Sequence, residues 1–211
     1  MAWHNVSDVT PIPRPSGILL AGGASRRFGR PKVVEPFDGV PLFHRPLRAL
    51  IDSCDDVIMV IAPDAAPPAL PEWAARVSFA RDPVAYEGPL AGTRAGLERV
   101  HGERAMLVAA DMPGVRAELL ALMAGHASGR GPNAVVLLDE GGRRPLPAAL
   151  PVAPALALAR RLLESGERRL RALVEGLDPE GLPEGVWARV DPQGEWRRDV
   201  DLPEDLSTGR R

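Results

Sequence analysis

Apolar residues along this chain fall into short continuous runs, each of which stops at glycine, proline or aspartate. Gly17 to Ala21 stops at Gly22-Gly23, Val57 to Ala62 is unbroken and rich in β-branched residues, Val77 to Ala80 is shorter, and Ala105 to Ala110 ends at Asp111-Met112-Pro113. Val57 to Ala62 reads as a strand covered on both faces, Gly17 to Ala21 and Ala105 to Ala110 as buried strands, and Val77 to Ala80 as a shorter strand. Helical spacings lie between them. Leu42, Pro46, Leu47 and Leu50 share one face within Pro41 to Ser53, with Pro46 as a candidate kink, and Pro89 to Val100 reads as a helix begun by proline. Val115 to His126 is predicted helical and Ala134 to Leu138 a strand. Leu156 to Leu163 and Arg168 to Gly176 follow as amphipathic helices, then Val186 to Val190 and Trp196 to Val200 as late strands.

Strands alternating with helices imply an α/β fold of three α/β/α layers around a mostly parallel sheet. Ligands in such folds sit outside the carboxyl ends of the strands, which singles out the loops after Ala21, Ala80 and Ala110. Residues 1–15 are mostly polar and aperiodic and read as a loose leader, with residues 16–211 as a single domain.

Bulk properties narrow the function classes. A chain of 211 residues suits one α/β domain. Its net charge of −2 gives no global basic field for nucleic acid or for an anionic membrane. The apolar runs are too short to span a bilayer, and the N-terminal segment lacks the pattern of a signal peptide. The one cysteine, Cys54, excludes an internal disulfide framework and a cysteine zinc site, and reads as a small apolar residue. A reducing cytoplasm is the expected compartment.

Four segments carry candidate chemistry. In Leu20 to Lys32, LAGGASRRFGRPK, the glycine pair lets backbone amides approach oxygens. Arg26, Arg27 and Lys32, the only lysine, add the charge a triphosphate needs. The segment fits neither a Walker A loop nor GxGxxG, and a strand-ending turn with solvated arginines matches the glycine pair equally well. Asp111, at a strand end, can hold Mg²⁺ through a hard carboxylate or can cap the next helix. Asp82 precedes Gly88-Pro89-Leu90-Ala91-Gly92, which would bring a helix N-terminus close to a nucleotide or form an ordinary turn. Alternation places Asp199 and Asp201 on one face, as a carboxylate pair toward a metal or as a solvated edge.

Taken in order, these segments resemble the molybdenum cofactor guanylyltransferase family, within the wider GT-A-like nucleotidyltransferases. The matching residues are Leu20 to Gly23, Arg27, Phe28, Gly29 and Lys32, then GPLAG at Gly88 to Gly92, Asp111 with Pro113, and GERR at Gly166 to Arg169. The resemblance covers nearly the whole chain from Gly17 to Leu206. It implies a Rossmann-like nucleotidyltransferase fold, with Leu20, Ala21, Gly22, Gly23 and Gly88 lining the nucleotide pocket. It further implies Lys32 on the phosphates, Asp82 toward the guanosine, and Asp111 binding both nucleotide and Mg²⁺. The implied reaction joins GMP from GTP to the terminal phosphate of the molybdopterin cofactor, and the resemblance leaves room for other cofactor-biosynthesis proteins as partners. Two departures stand out: Asp199-Val200-Asp201 where the family often has Asn-x-Asn, and Pro31-Lys32 where it has Asp-Lys.

The aspartate form is closer to cytidylyltransferase relatives and to sugar-1-phosphate enzymes, which remain the alternatives within the class. A non-catalytic nucleotide-binding regulator is the alternative outside it. Transfer between anions needs charge neutralisation and in-line positioning more than a nucleophilic side chain. Lys32, Arg27 and Mg²⁺ on Asp111 would supply that field.

Overall fold

The computed structural model describes residues 14–22, 32–83, 88–128 and 133–206. Gly23 and Arg27 of the glycine loop, and residues 1–13 of the leader, lie outside the described residues. Strand β1 (Ser16–Leu20) is followed by a small antiparallel hairpin, β2 (Pro36–Phe37) and β3 (Val40–Pro41). Next come α1 (His44–Ser53), β4 (Val57–Ile61), β5 (Val77–Arg81), α2 (Pro89–Leu97), β6 (Arg104–Ala109) and α3 (Ala117–Ala127). The second half contains β7 (Val135–Asp139), β8 (Gly142–Pro151), α4 (Val152–Glu164), α5 (Leu170–Gly176), β9 (Glu180–Leu182) and α6 (Glu184–Trp187).

One sheet runs in the order β5-β4-β1-β6-β8-β7-β9. Strands β5, β4, β1 and β6 are parallel, β8 is antiparallel to both neighbours, and β9 is parallel to β7. The mostly parallel α/β/α expectation therefore holds. Alternation along each strand divides the core into two layers. Leu19, Met59, Met106 and Val108 face α1 and α3 through Leu47, Leu50, Leu119 and Leu120. Ile18, Ile58, Val60 and Leu107 face α2, α4 and α5 through Leu90, Leu97, Ala155 and Leu173. Cys54 is fully buried in the first layer, where burial pushes its thiol up to about 12, consistent with a packing role.

Several boundaries differ from the sequence pattern for physical reasons. Helix α1 starts at His44, because Pro41 is used in the hairpin, and Pro46 stands in the first turn where its missing N–H costs nothing. The two late strands do not form. Residues Glu184–Trp187 are helical and Glu195–Arg197 make a 3₁₀ turn, so Trp187 and Trp196 meet edge-to-face at 5.6 Å. Asp191, only 1% exposed, holds that turn by accepting the N–H groups of Glu195 and Trp196. Strand β8 has no counterpart in the pattern, since Pro145, Pro147 and Pro151 read as breakers. It forms because Pro145 and Pro147 fall where the pairing with β7 shifts register, so no regular ladder position needs their N–H.

Helix α2 crosses the sheet closely enough to test this packing. A Cβ on Gly96 would lie 2.7 Å from the Cγ2 of buried Ile18, whereas one on Gly125 in α3 would meet open space. Gly96→Ala is therefore expected to lose about 1–3 kcal/mol through overpacking. Gly125→Ala should gain about 0.5–1 kcal/mol through helix propensity. Urea midpoints of the two variants should move in opposite directions, and a stabilised Gly96→Ala would contradict the close approach.

Candidate active site

Parallel strands carry their loops to a common edge, and β1, β4, β5 and β6 do so here. The Ala21 N–H donates to Val60 C=O at 2.8 Å, and the Ala110 N–H donates to Leu20 C=O at 2.9 Å, so the three strand ends are sewn together. Gly22 is a glycine because the chain crosses the end of β4: a Cβ would stand 3.2 Å from Ala62 N and 3.3 Å from Ile61 C. Asp82, 8% exposed, leaves β5 beside α2, where a Cβ on Gly92 would come 3.4 Å from its Oδ2. Gly88 caps α2 at φ +98°, and a Cβ there would meet the Arg168 carbonyl at 2.8 Å. The GPLAG and GERR segments, far apart in sequence, thus pack directly on each other. The GERR turn is held by Glu167, whose carboxylate accepts the N–H groups of Arg168 and Arg169 and the Arg169 guanidinium. Those bonds, the side chain's first, keep the Glu167 carboxyl down at about 2.

Lys32, Asp111 and the Asp199–Asp201 segment converge. The Lys32 ammonium lies 2.7 Å from Asp111 Oδ2, 2.8 Å from Val200 C=O and 3.4 Å from Asp201 Oδ1. Its flexible stem spans the gap from a short 3₁₀ turn, Lys32–Val34. The Val200 N–H donates to Asp111 C=O at 3.0 Å, and the Val200 side chain is buried with Phe37 and Leu42. Alternation about Val200 then leaves Asp199 and Asp201 on the opposite side, as the sequence implied, although the segment is not a strand of the sheet. Asp111 does not cap the next helix, whose N-cap is Arg116 and whose cap makes no side-chain bond.

Pattern reading did not single out Arg144. Its Nη2 lies 3.5 Å from Asp199 Oδ2 and its Nε 3.6 Å from Asp139 Oδ2. The available signal was the Gly141-Gly142 turn after an apolar run, which marks a hairpin whose second strand begins at Arg143 and Arg144. Asp199 has its carboxyl raised to about 6, chiefly by burial and then by neighbouring Asp111, against the opposing pull of Arg144. The local arrangement is four carboxylates, Asp111, Asp139, Asp199 and Asp201, facing two cations. Among the described residues, no three His, Cys, Asp or Glu side chains gather closely enough to enclose a metal ion.

Known proteins resemble this chain over most of its length. The family described as a MobA-like NTP transferase domain matches residues 17–180. A probable molybdenum cofactor guanylyltransferase of Mycolicibacterium paratuberculosis is 33% identical over 196 residues, covering 90% of this chain and 92% of the relative. Another, from Chloroflexus aggregans, is 34% identical over 198 residues, covering 90% and 91%. The crystal structure of molybdopterin-guanine dinucleotide biosynthesis protein A from Archaeoglobus fulgidus superposes with a TM-score of 0.73 at 22% identity, covering 91% of this chain and 95% of that one, a likeness of fold.

The raised Asp199 carboxyl has a consequence for stability. The folded state holds its proton up to about pH 6, while the unfolded chain releases it near the ordinary value of 3.8. Between those values the folded state binds more protons, so this group's contribution to stability falls as pH rises and is level above pH 6. Asp199→Asn is expected to match the parent in denaturant midpoint near pH 4 and exceed it at pH 7. Equal midpoints at both values would contradict the crowding of carboxylates.

Proposed function

Because the chain belongs to the MobA-like NTP transferase family and is a nucleotidyltransferase, we propose that it transfers GMP from GTP to the terminal phosphate of the molybdenum-molybdopterin cofactor. An oxygen of the acceptor phosphate forms a bond to the α-phosphorus, the α–β bridging P–O bond breaks, and pyrophosphate leaves with the bonding pair. The observation that carries this reading is the Lys32–Asp111–Val200 junction at the edge where the glycine loop leaves β1. The acceptor phosphate is already anionic, so the site needs no general base; it needs positive charge and alignment.

Each residue then has a task. Leu20, Ala21 and Gly22 offer backbone groups to the nucleotide, with Gly23 continuing that loop. Lys32 supplies a cation to the triphosphate, aided by Arg27. Asp82, beside the N-terminal half of α2, meets the guanosine part, and Gly88, by letting the head of that helix pack on the Arg168 backbone, sets where the helix starts beside the nucleotide. The donor set suits Mg²⁺: Asp111 and Asp199 are hard oxygen ligands near one another, and this ion takes one or two carboxylates, completing its shell with phosphate oxygens and water. Bound there, Mg²⁺ would neutralise the charge that develops on the leaving pyrophosphate. Lys32 now occupies one Asp111 oxygen, so phosphate binding would draw the ammonium toward the triphosphate and free that oxygen. The reaction belongs in the cytoplasm; among the described residues, no helix is long and apolar enough to cross a membrane.

The aspartates that suggested a cytidylyltransferase meet Lys32 and Arg144. Those partners handle phosphate charge, so Asp199 and Asp201 do not argue for cytosine. Rigid backbone groups that match a guanine edge leave a cytosine with unpaired groups, each costing ~1–3 kcal/mol when buried. GTP is therefore expected to bind at least about tenfold more tightly than CTP by calorimetry, and equal or tighter CTP binding would promote the cytidine reading. Lys32→Ala should weaken GTP far more than guanosine. Equal losses for the two would remove Lys32 from the phosphates.

A further inference from the structure

A second charged region adjoins this edge. The turn between β7 and β8, helix α5 and the loop at Arg197 enclose a cleft of about 430 Å³ lined by Arg143, Arg144, Arg171 and Arg197 with Asp139 and Glu140. Four guanidinium groups line it against two carboxylates, with Asp199 and Glu175 paired to Arg144 and Arg171 at its margin, on a chain whose net charge is −2. We propose that this cleft is the acceptor-phosphate site: its arginines seat the terminal phosphomonoester of the pterin acceptor and aim it at the nucleotide. The assignment rests on the transferase reading above and adds the place where the second substrate docks.

Two of the four arginines are fixed by their surroundings. Asp139 accepts the Gly141 N–H at 2.8 Å, shaping the turn, and its other oxygen lies 3.6 Å from Arg144 Nε. Arg197 lies over the Trp187 ring at 5.3 Å, and Trp187 in turn donates its indole N–H to Leu138 C=O at 2.9 Å. The turn at Gly194, with φ +63°, leaves room for that guanidinium, with which a side chain at Gly194 would collide. The other two are available. Arg143 makes no ion pair or hydrogen bond with a described residue, and Arg171 has only an exposed contact to Glu175 at 3.4 Å. Planar guanidinium forks bind phosphate oxygens in pairs, the chemistry a phosphomonoester requires.

Arg144 links the cleft to the reaction centre: it lines the cleft, and its Nη2 is 3.5 Å from Asp199 Oδ2. A phosphate held at that end stands next to Asp199, which is crowded by Asp111. Two anions that must approach for transfer would therefore each meet a separate set of cations, Lys32 for the triphosphate and the four arginines for the acceptor. That separation lets both bind together without sharing counter-charges.

The test uses the full chain and the double variant Arg143→Ala/Arg171→Ala, which leaves Lys32, Asp111 and Asp199 untouched. Calorimetric titration with molybdopterin should show at least tenfold weaker binding than the parent. The half-saturating acceptor concentration in turnover should rise by a similar factor, while GTP affinity stays within twofold. Arg143→Lys/Arg171→Lys should recover part of the loss. Unchanged molybdopterin affinity in the alanine variant, with transfer intact, overturns the cleft and leaves the transferase reading standing. A parent protein that binds GTP but not molybdopterin overturns the acceptor reading and this assignment with it.

Discussion

Three stretches of chain that are remote in sequence meet at one ammonium group. Lys32, from the end of the glycine loop, reaches the Asp111 carboxylate at the end of β6 and the Val200 carbonyl 168 residues further along. The contact can form only if each contributor is already placed. The β1–β6 register delivers Asp111, the hairpin β2–β3 supplies the Phe37 contact that buries Val200, and the Val200 N–H to Asp111 C=O bond fixes the C-terminal segment. Without the ammonium, Asp111, Asp199 and Asp201 would share a partly buried edge with Arg144 as their nearby counter-charge. Like charges at that spacing are tolerated only where a cation or a bound ligand offsets them. In the proposed reaction, a metal–triphosphate complex would bring its own positive ion and compete for the lysine.

Glycine clearance does the complementary positioning on the other side. Gly22 lets β1 run out past the end of β4, and Gly88 lets the head of α2 press on the Arg168 backbone. Both glycines are explained by the approach of protein backbone, so the glycine-rich motifs first serve to assemble the edge. The nucleotide would then use the space that assembly leaves. This also accounts for Asp82, whose burial against Gly92 fixes its carboxylate beside α2.

Much of this was legible in the chain itself. Continuous apolar runs marked β1, β4, β6 and β7 to within a residue, because strands covered on both faces need no polar alternation, and the shorter stretch at Val77 marked the edge strand β5. Asp82 and Asp111 stood out as charges just past strand ends, Lys32 as the lone lysine of the glycine loop and the Asp199–Asp201 pair by its alternation, and the fold brings Lys32 together with Asp111 and Asp201. What stayed hidden was set by tertiary context. Prolines obscured β8, since only the register shift against β7 makes them harmless, and Arg144 was hidden with the strand that carries it. The tryptophan region looked extended because Val186 to Val190 is a short stretch rich in valine and aromatic side chains, yet the burial of Trp187 against Trp196 with the Asp191 cap favours short helical turns.

In the proposed reaction, charge neutralisation at Asp111 and Lys32 drives nucleotidyl transfer. Its most direct measurement is pyrophosphate release from GTP in the presence of molybdopterin and Mg²⁺, comparing the parent with Asp111→Asn. The parent should release pyrophosphate in step with formation of a guanine dinucleotide. The variant should keep the parent's circular dichroism and lose at least about a hundredfold in rate, as expected when an electrostatic anchor of the transition state is removed. A folded Asp111→Asn protein that releases pyrophosphate at the parent's rate would contradict the account.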